Sequence, residues 1–465
     1  MIRAIKLAPL ILIAAIVLVP HYVWRLSGLA VLGVVGLVLV VAVVRFLIAP
    51  VAVKANYPAA IWARIRWRSH ARNLALARRD IHVQDKGKRP TIRPPVQHLR
   101  ARFKPTTHGL ALSVRTIPGT GRAEFEAAAD HLANAWRCQR VSISQPRPGR
   151  LVLRGLKRDP LADMLPVTAA PVGTYVQADI ARPYLGLDEH AQHRYLSLAN
   201  TTGMVIGGLP GRGKSVLINS LLCQWAGSPK VALALLDGKG SCDFEAWRPR
   251  CWLMSGDDLP AAVGVLEDIH LEMRRRLGRI RELSGSSNGW RSGPSEDLPA
   301  LIVLVDECQV FLDSAAVKGR KPDEDLVRRC QSLTAELVRK GRSAMVFVVL
   351  ATQKATTDSL PSSIRDNAGL SMCFAVKTSE AAAAVLGASI REYPSFSPLG
   401  LQDDAYAGVA VTTMATGNDP FTRVRIPDVS EDMVIQRAIE TAHLRVDPAV
   451  TKRVSVPEPV LEGAR

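Results

Sequence analysis

Residues 202–206 form a short apolar run that passes through Gly207 into GLPGRGKS, residues 208–215, and then into the apolar stretch VLINSLL. This is the pattern G-x-x-x-x-G-K-[ST] in a strand–loop–helix setting, and it constrains the fold more than any other feature of the chain. Three glycines let backbone N–H groups close around phosphate at the positive end of a helix. Lys214 can reach a β- or γ-phosphate, and the Ser215 hydroxyl can ligate Mg²⁺. The candidate nucleotide-binding segment is therefore Gly208, Leu209, Pro210, Gly211, Arg212, Gly213, Lys214, Ser215 and Val216. The expected cofactors are ATP and Mg²⁺.

Downstream, LIVLVDE at residues 301–307 places two carboxylates at the end of five apolar residues. In open α/β sheets ligands bind at that strand edge. Asp306 is the candidate Mg²⁺ ligand, directly or through water, and Glu307 the group that polarises an attacking water. A third apolar run, 346–350, leads into ATQK. Gln353 at that edge can sense a γ-phosphate. Short apolar runs at 202–206, 231–236, 301–305, 345–350 and 371–376 alternate with amphipathic stretches. The reading is an α/β, RecA-like P-loop motor with a parallel sheet over residues 166–428.

The rest of the chain divides by composition. Apolar runs at 7–24 and 29–49 each approach the ~20 residues that span a bilayer, and they predict a transmembrane hairpin over residues 1–50. Arg3 and Lys6 precede the first run, and Arg45, Lys54, Arg64, Arg66 and Arg68 end or follow the second. The positive-inside rule puts both termini on the cytoplasmic face of the inner membrane. Between Lys54 and Lys104 there are 14 Lys or Arg and two acids, so this stretch carries +12 of the chain's +18. Residues 51–107 read as a basic juxtamembrane linker, with Trp62 and Trp67 at headgroup level. Anionic lipid and nucleic acid are both open as its partner. Residues 108–165 read as a small β-α-β-β module without a catalytic constellation, and 429–465 as a C-terminal tail. Seven scattered cysteines, none in a C-x-x-C pair, fit reduced thiols and no zinc site.

Taken together, TTGMVIGGLPGRGKS, ALLDGKG at 234–240, LIVLVDE, RKGRSAMVFVVLATQK at 339–354 and SSIRDN at 362–367 resemble the FtsK/SpoIIIE family of DNA translocases. The β-α-β-β module is similar to one that precedes the motor in conjugation-associated members. Septal chromosome pumps of the family carry four spans, a long linker and a C-terminal winged helix. Two spans and a short linker match the membrane-anchored conjugative transfer proteins of filamentous Gram-positive bacteria better.

The resemblance implies a homo-hexameric ring that threads double-stranded DNA, with other transfer proteins as unspecified partners. The same motor family also powers protein secretion and septal chromosome segregation, and those readings stay open. It further implies an arginine completing the site of a neighbouring subunit. Arg342 in GRSA and Arg365 in SIRDN are the candidates. In such rings, loops after the central strands face the pore. Segment 313–322 follows the Asp306–Glu307 strand and contains Lys318, Arg320 and Lys321, the candidate DNA contacts.

Overall fold

The computed structural model describes residues 40, 43–44, 46–74, 76, 80–82, 91–93, 101–117, 120–176, 178–240, 242–356, 359–414 and 420–448. Almost all of the expected transmembrane hairpin lies outside them. Among the described residues, no helix is long and apolar enough to cross a membrane.

The motor is built on a sheet of ten strands. Their order is Leu253–Ser255, Val231–Asp237, Ala300–Asp306, Val346–Thr352, Gly203–Gly207, Leu370–Cys373, Val409–Thr412, Thr422–Arg425, Tyr184–Asp188 and His193–Tyr195. The first six are parallel, as the alternation of runs and helices predicts. The last four are antiparallel, so the sheet is mixed rather than parallel throughout. These four strands are short and carry polar residues, and the pairing of Thr422–Arg425 with Tyr184–Asp188 joins segments more than 200 residues apart. No local pattern announces it.

The central strands Val231–Asp237, Ala300–Asp306 and Val346–Thr352 are apolar up to their last residue because both faces are covered. Ala232, Ala234 and Leu236 join Leu301, Val303 and Val305 in the core on one face. Val231, Leu233 and Leu235 join Ala300, Ile302 and Leu304 on the other. The helices Leu259–Ser284 and Lys321–Lys340 lie against the first face. Lys214–Ala226 and Glu431–Thr441 lie against the second. The last of these falls in the expected C-terminal tail. Ser430 caps it by accepting from the Met433 N–H, and Arg437 donates to the Cys223 carbonyl of the neighbouring helix. Residues 430–441 are thus packed motor structure.

The N-terminal module is larger than the sequence indicates. Its antiparallel sheet has the order Arg102–Thr106, Gly109–Arg115, Arg150–Leu156, Arg140–Arg147. The helices Arg122–Ala127 and Ala129–Trp136 cover one side together with Tyr57–Asn73. That last helix occupies much of the expected linker. Ala60, Ala63, Trp67 and Ala71 recur at helical spacing and are buried. Trp67 is only 2% exposed. Its ring meets Phe103 at 6.1 Å and Trp136 at 6.3 Å between centroids. Placing Trp67 at a lipid headgroup is therefore wrong. Trp62, on the outer side of the same helix, is 38% exposed. Burying an indole among two aromatic rings outweighs leaving it at an interface, since such pairs add about 0.5–1.5 kcal/mol beyond area burial.

Candidate nucleotide site

Strand register assembles the site. Gly207 pairs with Thr352, and Asp237 pairs with Asp306, so four strands end level along one sheet edge. The loop after Gly207 turns through Gly208 at φ +149°, Gly211 at φ +70° and Gly213 at φ +108°, all left-handed. A Cβ on Gly208 would sit 2.6 Å from that of Phe374, so a side chain is excluded there on two counts. Gly213 then caps the helix Lys214–Ala226, whose N-terminal amides and dipole face the loop.

Lys214 is 5% exposed. Its Nζ donates to the carbonyls of Gly208 at 2.7 Å and Leu209 at 2.9 Å. Burial lowers its pKa, opposed by the Glu307 and Asp306 carboxylates. The ammonium thus rests on the loop's own carbonyls, beside the amides that would hold a phosphate.

Asp306 and Glu307 are 3% and 5% exposed. Burial pushes the Asp306 carboxyl up to about 7, and the neighbouring charges of Glu307 and Asp237 push the same way. Glu307 adopts left-handed φ +46°. For a residue with a Cβ this costs about 1–3 kcal/mol, retained where surrounding contacts fix it. Those contacts are present. Glu307 Oε2 accepts from Gln309 Nε2 at 2.5 Å and from the Gln353 backbone N–H at 3.1 Å. Gln309 Oε1 in turn accepts from Thr352 Oγ1 at 2.6 Å. Gly238 lets the two strand ends approach, because a Cβ there would lie 2.8 Å from the Glu307 carbonyl.

A cavity of about 580 Å³ opens over the loop. Pro210, Gly211, Gly213, Lys214, Ser215 and Val216 form its floor. Lys239 and Gln353 stand at one side, and Ala162, Met164, Leu165, Asp404, Gly408, Arg425 and Asp428 form the roof. Arg425 fixes that roof. It donates to the carbonyls of Leu161, Ala405 and Ala407. Arg212 pairs with Asp404 at 2.9 Å and its carbonyl accepts from the Gly408 N–H.

The fit to a magnesium nucleotide is good. The volume suits such a ligand, and nothing lies within 4 Å of a Cβ built on Gly211. Ser215 and Asp306 are the residues that would hold Mg²⁺, with Asp237 alongside Asp306.

Of the residues expected from sequence, the loop, Asp306, Glu307 and Gln353 come together at this edge. Arg342 and Arg365 do not. Arg342 precedes the strand Val346–Thr352 and Arg365 precedes Leu370–Cys373, so both lie toward the opposite edge, and Arg365 pairs with Asp366 at 2.7 Å. Lys318, Arg320 and Lys321 lie on the nucleotide side of the sheet and are exposed. Arg320 pairs with Asp323 at 3.1 Å. Sequence reasoning gave no role to Asp237, Gln309, Lys239, Asp404 or Arg425. Asp237 carried a signal, an acid ending an apolar strand just as Asp306 does.

The raised pKa of Asp306 gives a stability prediction. A carboxyl whose folded pKa lies near 7, above an ordinary 3.8, penalises the folded state as it ionises. The penalty is absent below pH 4, grows as pH rises, and is complete above 7. Asp306→Asn removes it. The nucleotide-free variant is expected to melt a few degrees higher than wild type at pH 8 and at the same temperature at pH 4. Equal melting at pH 8 would show that Asp306 ionises without cost.

Residues 50–157 match the actinomycete conjugal transfer protein N-terminal domain. The chain is 25% identical over 290 residues to the DNA translocase FtsK of Borreliella burgdorferi, covering 60% of this chain and 35% of that one. It is 24% identical over 299 residues to the DNA translocase FtsK of Shewanella oneidensis, covering 56% and 31%. It therefore spans about a third of the length of these curated relatives. Among solved structures, the pCW3 conjugation coupling protein TcpA, in its monomer form with ATPγS, aligns at TM-score 0.50 and 17% identity over 81% of this chain and 98% of that one. That likeness is one of fold. Its N-terminal module thus resembles that of actinomycete conjugal transfer proteins, and its motor resembles that of the FtsK DNA translocases.

Proposed function

We propose that the chain is a membrane-anchored ATPase that moves double-stranded DNA during conjugative transfer. The observation that carries this reading is the convergence of Lys214, Ser215, Asp306, Glu307 and Gln353 at one sheet edge, where Lys214, Ser215 and Gln353 line a cavity, on a chain whose residues 50–157 match the conjugal-transfer module. In it, the loop amides and Lys214 hold the β- and γ-phosphates. Ser215 and Asp306 hold Mg²⁺, which would neutralise phosphate charge. Glu307, fixed by Gln309 and Gln353, accepts the proton of the attacking water. Stimulation of ATP hydrolysis by duplex DNA, and displacement of a triplex-forming strand by the full chain, test the reading. Hydrolysis indifferent to DNA, with no displacement, overturns it.

The ring of six subunits belongs to the same proposal. It makes Arg342 and Arg365 candidates for a neighbour's site, because both stand away from their own. The apolar N-terminal runs and the basic residues after them support inner-membrane anchoring with the motor in the cytoplasm. On the outer face of Tyr57–Asn73, Ile61 and Ile65 are exposed near Arg64 and Arg68, which suits a lipid boundary. A cytoplasm-dependent reporter fused after Arg72 is expected to be active. Activity from a periplasm-dependent reporter there would sink this topology.

Lys318, Arg320 and Lys321 are proposed to hold DNA phosphate without reading bases. Changing all three to alanine is expected to remove stimulation by duplex DNA. It should also reduce the salt slope of DNA binding by up to ~0.9 per lost contact. If both survive, the grip lies elsewhere, and the basic stretch from Lys54 to Lys104 is next.

A further inference from the structure

The basic loop and the catalytic edge are joined by a continuous set of polar contacts. Gln309 is its centre. Its side chain bonds Glu307 and Thr352, and its carbonyl accepts from the Asp313 N–H at 2.9 Å. Gln353 donates its backbone N–H to Glu307, and the next residue, Lys354, reaches Asp313 with Nζ–Oδ2 at 2.8 Å. Asp313 is 1% exposed and opens the loop. Its Oδ1 accepts the N–H groups of Ala315 at 3.0 Å and Ala316 at 3.3 Å, the first turn of segment 314–320. Burial opposes ionisation of Asp313, but Lys354 and these amides outweigh it and hold the carboxyl below its ordinary range.

We propose that the Lys354–Asp313 ion pair is a positioning latch that couples the Glu307–Gln353 edge of the nucleotide site to the basic loop 314–320, so that DNA phosphate on the loop sets the hydrolysis rate. The inference rests on the reading of that loop as the DNA grip. An exposed ion pair is ordinarily worth little. Here one partner is buried and holds the loop's first turn, so displacing Lys354 leaves Asp313 Oδ2 without its charge partner while Oδ1 keeps its two amides. The path is also short. Residues 353 and 354 are adjacent, so a shift of the Gln353 amide as Glu307 changes partners moves the base of the Lys354 side chain. Asp313 passes that shift to Ala315 and Ala316. Without Lys354 the two amides still hold Asp313, so the loop keeps its fold while its link to the strand end is cut.

The test compares Lys354→Met, Lys354→Arg and the loop triple-alanine variant in the full chain, with and without duplex DNA of mixed sequence. Lys354→Met is expected to hydrolyse ATP without DNA within about twofold of wild type. Its stimulation by DNA should fall at least tenfold, with the salt slope of DNA binding unchanged. Lys354→Arg, which keeps the charge, should restore most of the stimulation. The latch is overturned if Lys354→Met keeps its stimulation while the triple variant loses it, in which case the grip reading stands alone. It is overturned as well if Lys354→Met lowers the salt slope by ~0.9, since the lysine is then itself a phosphate contact. Loss of hydrolysis without DNA would make the pair a structural support of the site and also overturn the latch. If the triple variant keeps its stimulation, the grip reading fails and the latch fails with it.

Discussion

Glu307→Gln is expected to bind ATP as wild type does and to hydrolyse it about a thousandfold more slowly. The size follows from the role. A positioned general base contributes about 10²–10⁴-fold, and glutamine cannot accept the proton. The substitution is close to isosteric. Its amide oxygen can still accept from Gln309 Nε2 and from the Gln353 N–H, the two donors that fix Glu307 now. The left-handed backbone at φ +46° and the cavity should therefore persist. A fluorescent ATP analogue gives the affinity, and phosphate release gives the turnover. Turnover within threefold of wild type would remove Glu307 from the chemistry and turn attention to Asp237, a further carboxylate at this edge.

The parts of this site that were legible in the sequence are those whose cause is local. Phosphate binding needs glycines, a lysine and a hydroxyl at fixed spacing, and residues 208–215 supply them in a row. A buried parallel strand needs an unbroken apolar run, and LIVLV at residues 301–305 is one. What was not legible depends on distant segments meeting. The cavity roof takes Arg425 from one strand, Asp404 from a turn, and Met164 from the segment after the strand Arg150–Leu156. None carries a signal alone. The four antiparallel strands were missed for the same reason. His193–Tyr195 has no apolar alternation, and it is a strand because Tyr184–Asp188 pairs with it and is itself paired to Thr422–Arg425.

Trp67 shows how a sound local argument can fail. Flanked by Arg66 and Arg68, it has the composition of a membrane-interface residue. Its burial is decided by Phe103 and Trp136, which reach it only through the module's sheet and helix. The spacing of Ala60, Ala63, Trp67 and Ala71 was the available signal, a narrow face of three alanines and one indole along one side of an Arg-rich helix.

Lys214→Ala is expected to abolish nucleotide-dependent activity, with hydrolysis falling by about 10²–10³-fold, as when one charged donor is removed from a developing phosphate charge. The structure shows why nothing nearby replaces it. Lys214 is the buried cation of the cavity floor, already aimed through the loop at 2.7 Å and 2.9 Å from its carbonyls. Lys239, the other lysine lining the cavity, is engaged with Asp243 at 2.7 Å. Wild-type turnover in Lys214→Ala would sink the phosphate-loop reading. The same variant tests the ring. A subunit with Lys214→Ala has a dead site but intact Arg342 and Arg365, whereas Arg342→Ala or Arg365→Ala has an intact phosphate loop. Each is expected to be slow alone. If one arginine acts on the neighbour's nucleotide, mixing its variant with Lys214→Ala places an intact loop beside an intact arginine at some interfaces, and hydrolysis should rise above the sum of the two. The arginine whose mixtures show no rise at any ratio acts within its own subunit, as the Arg365–Asp366 pair would if its role is to hold the turn before Leu370.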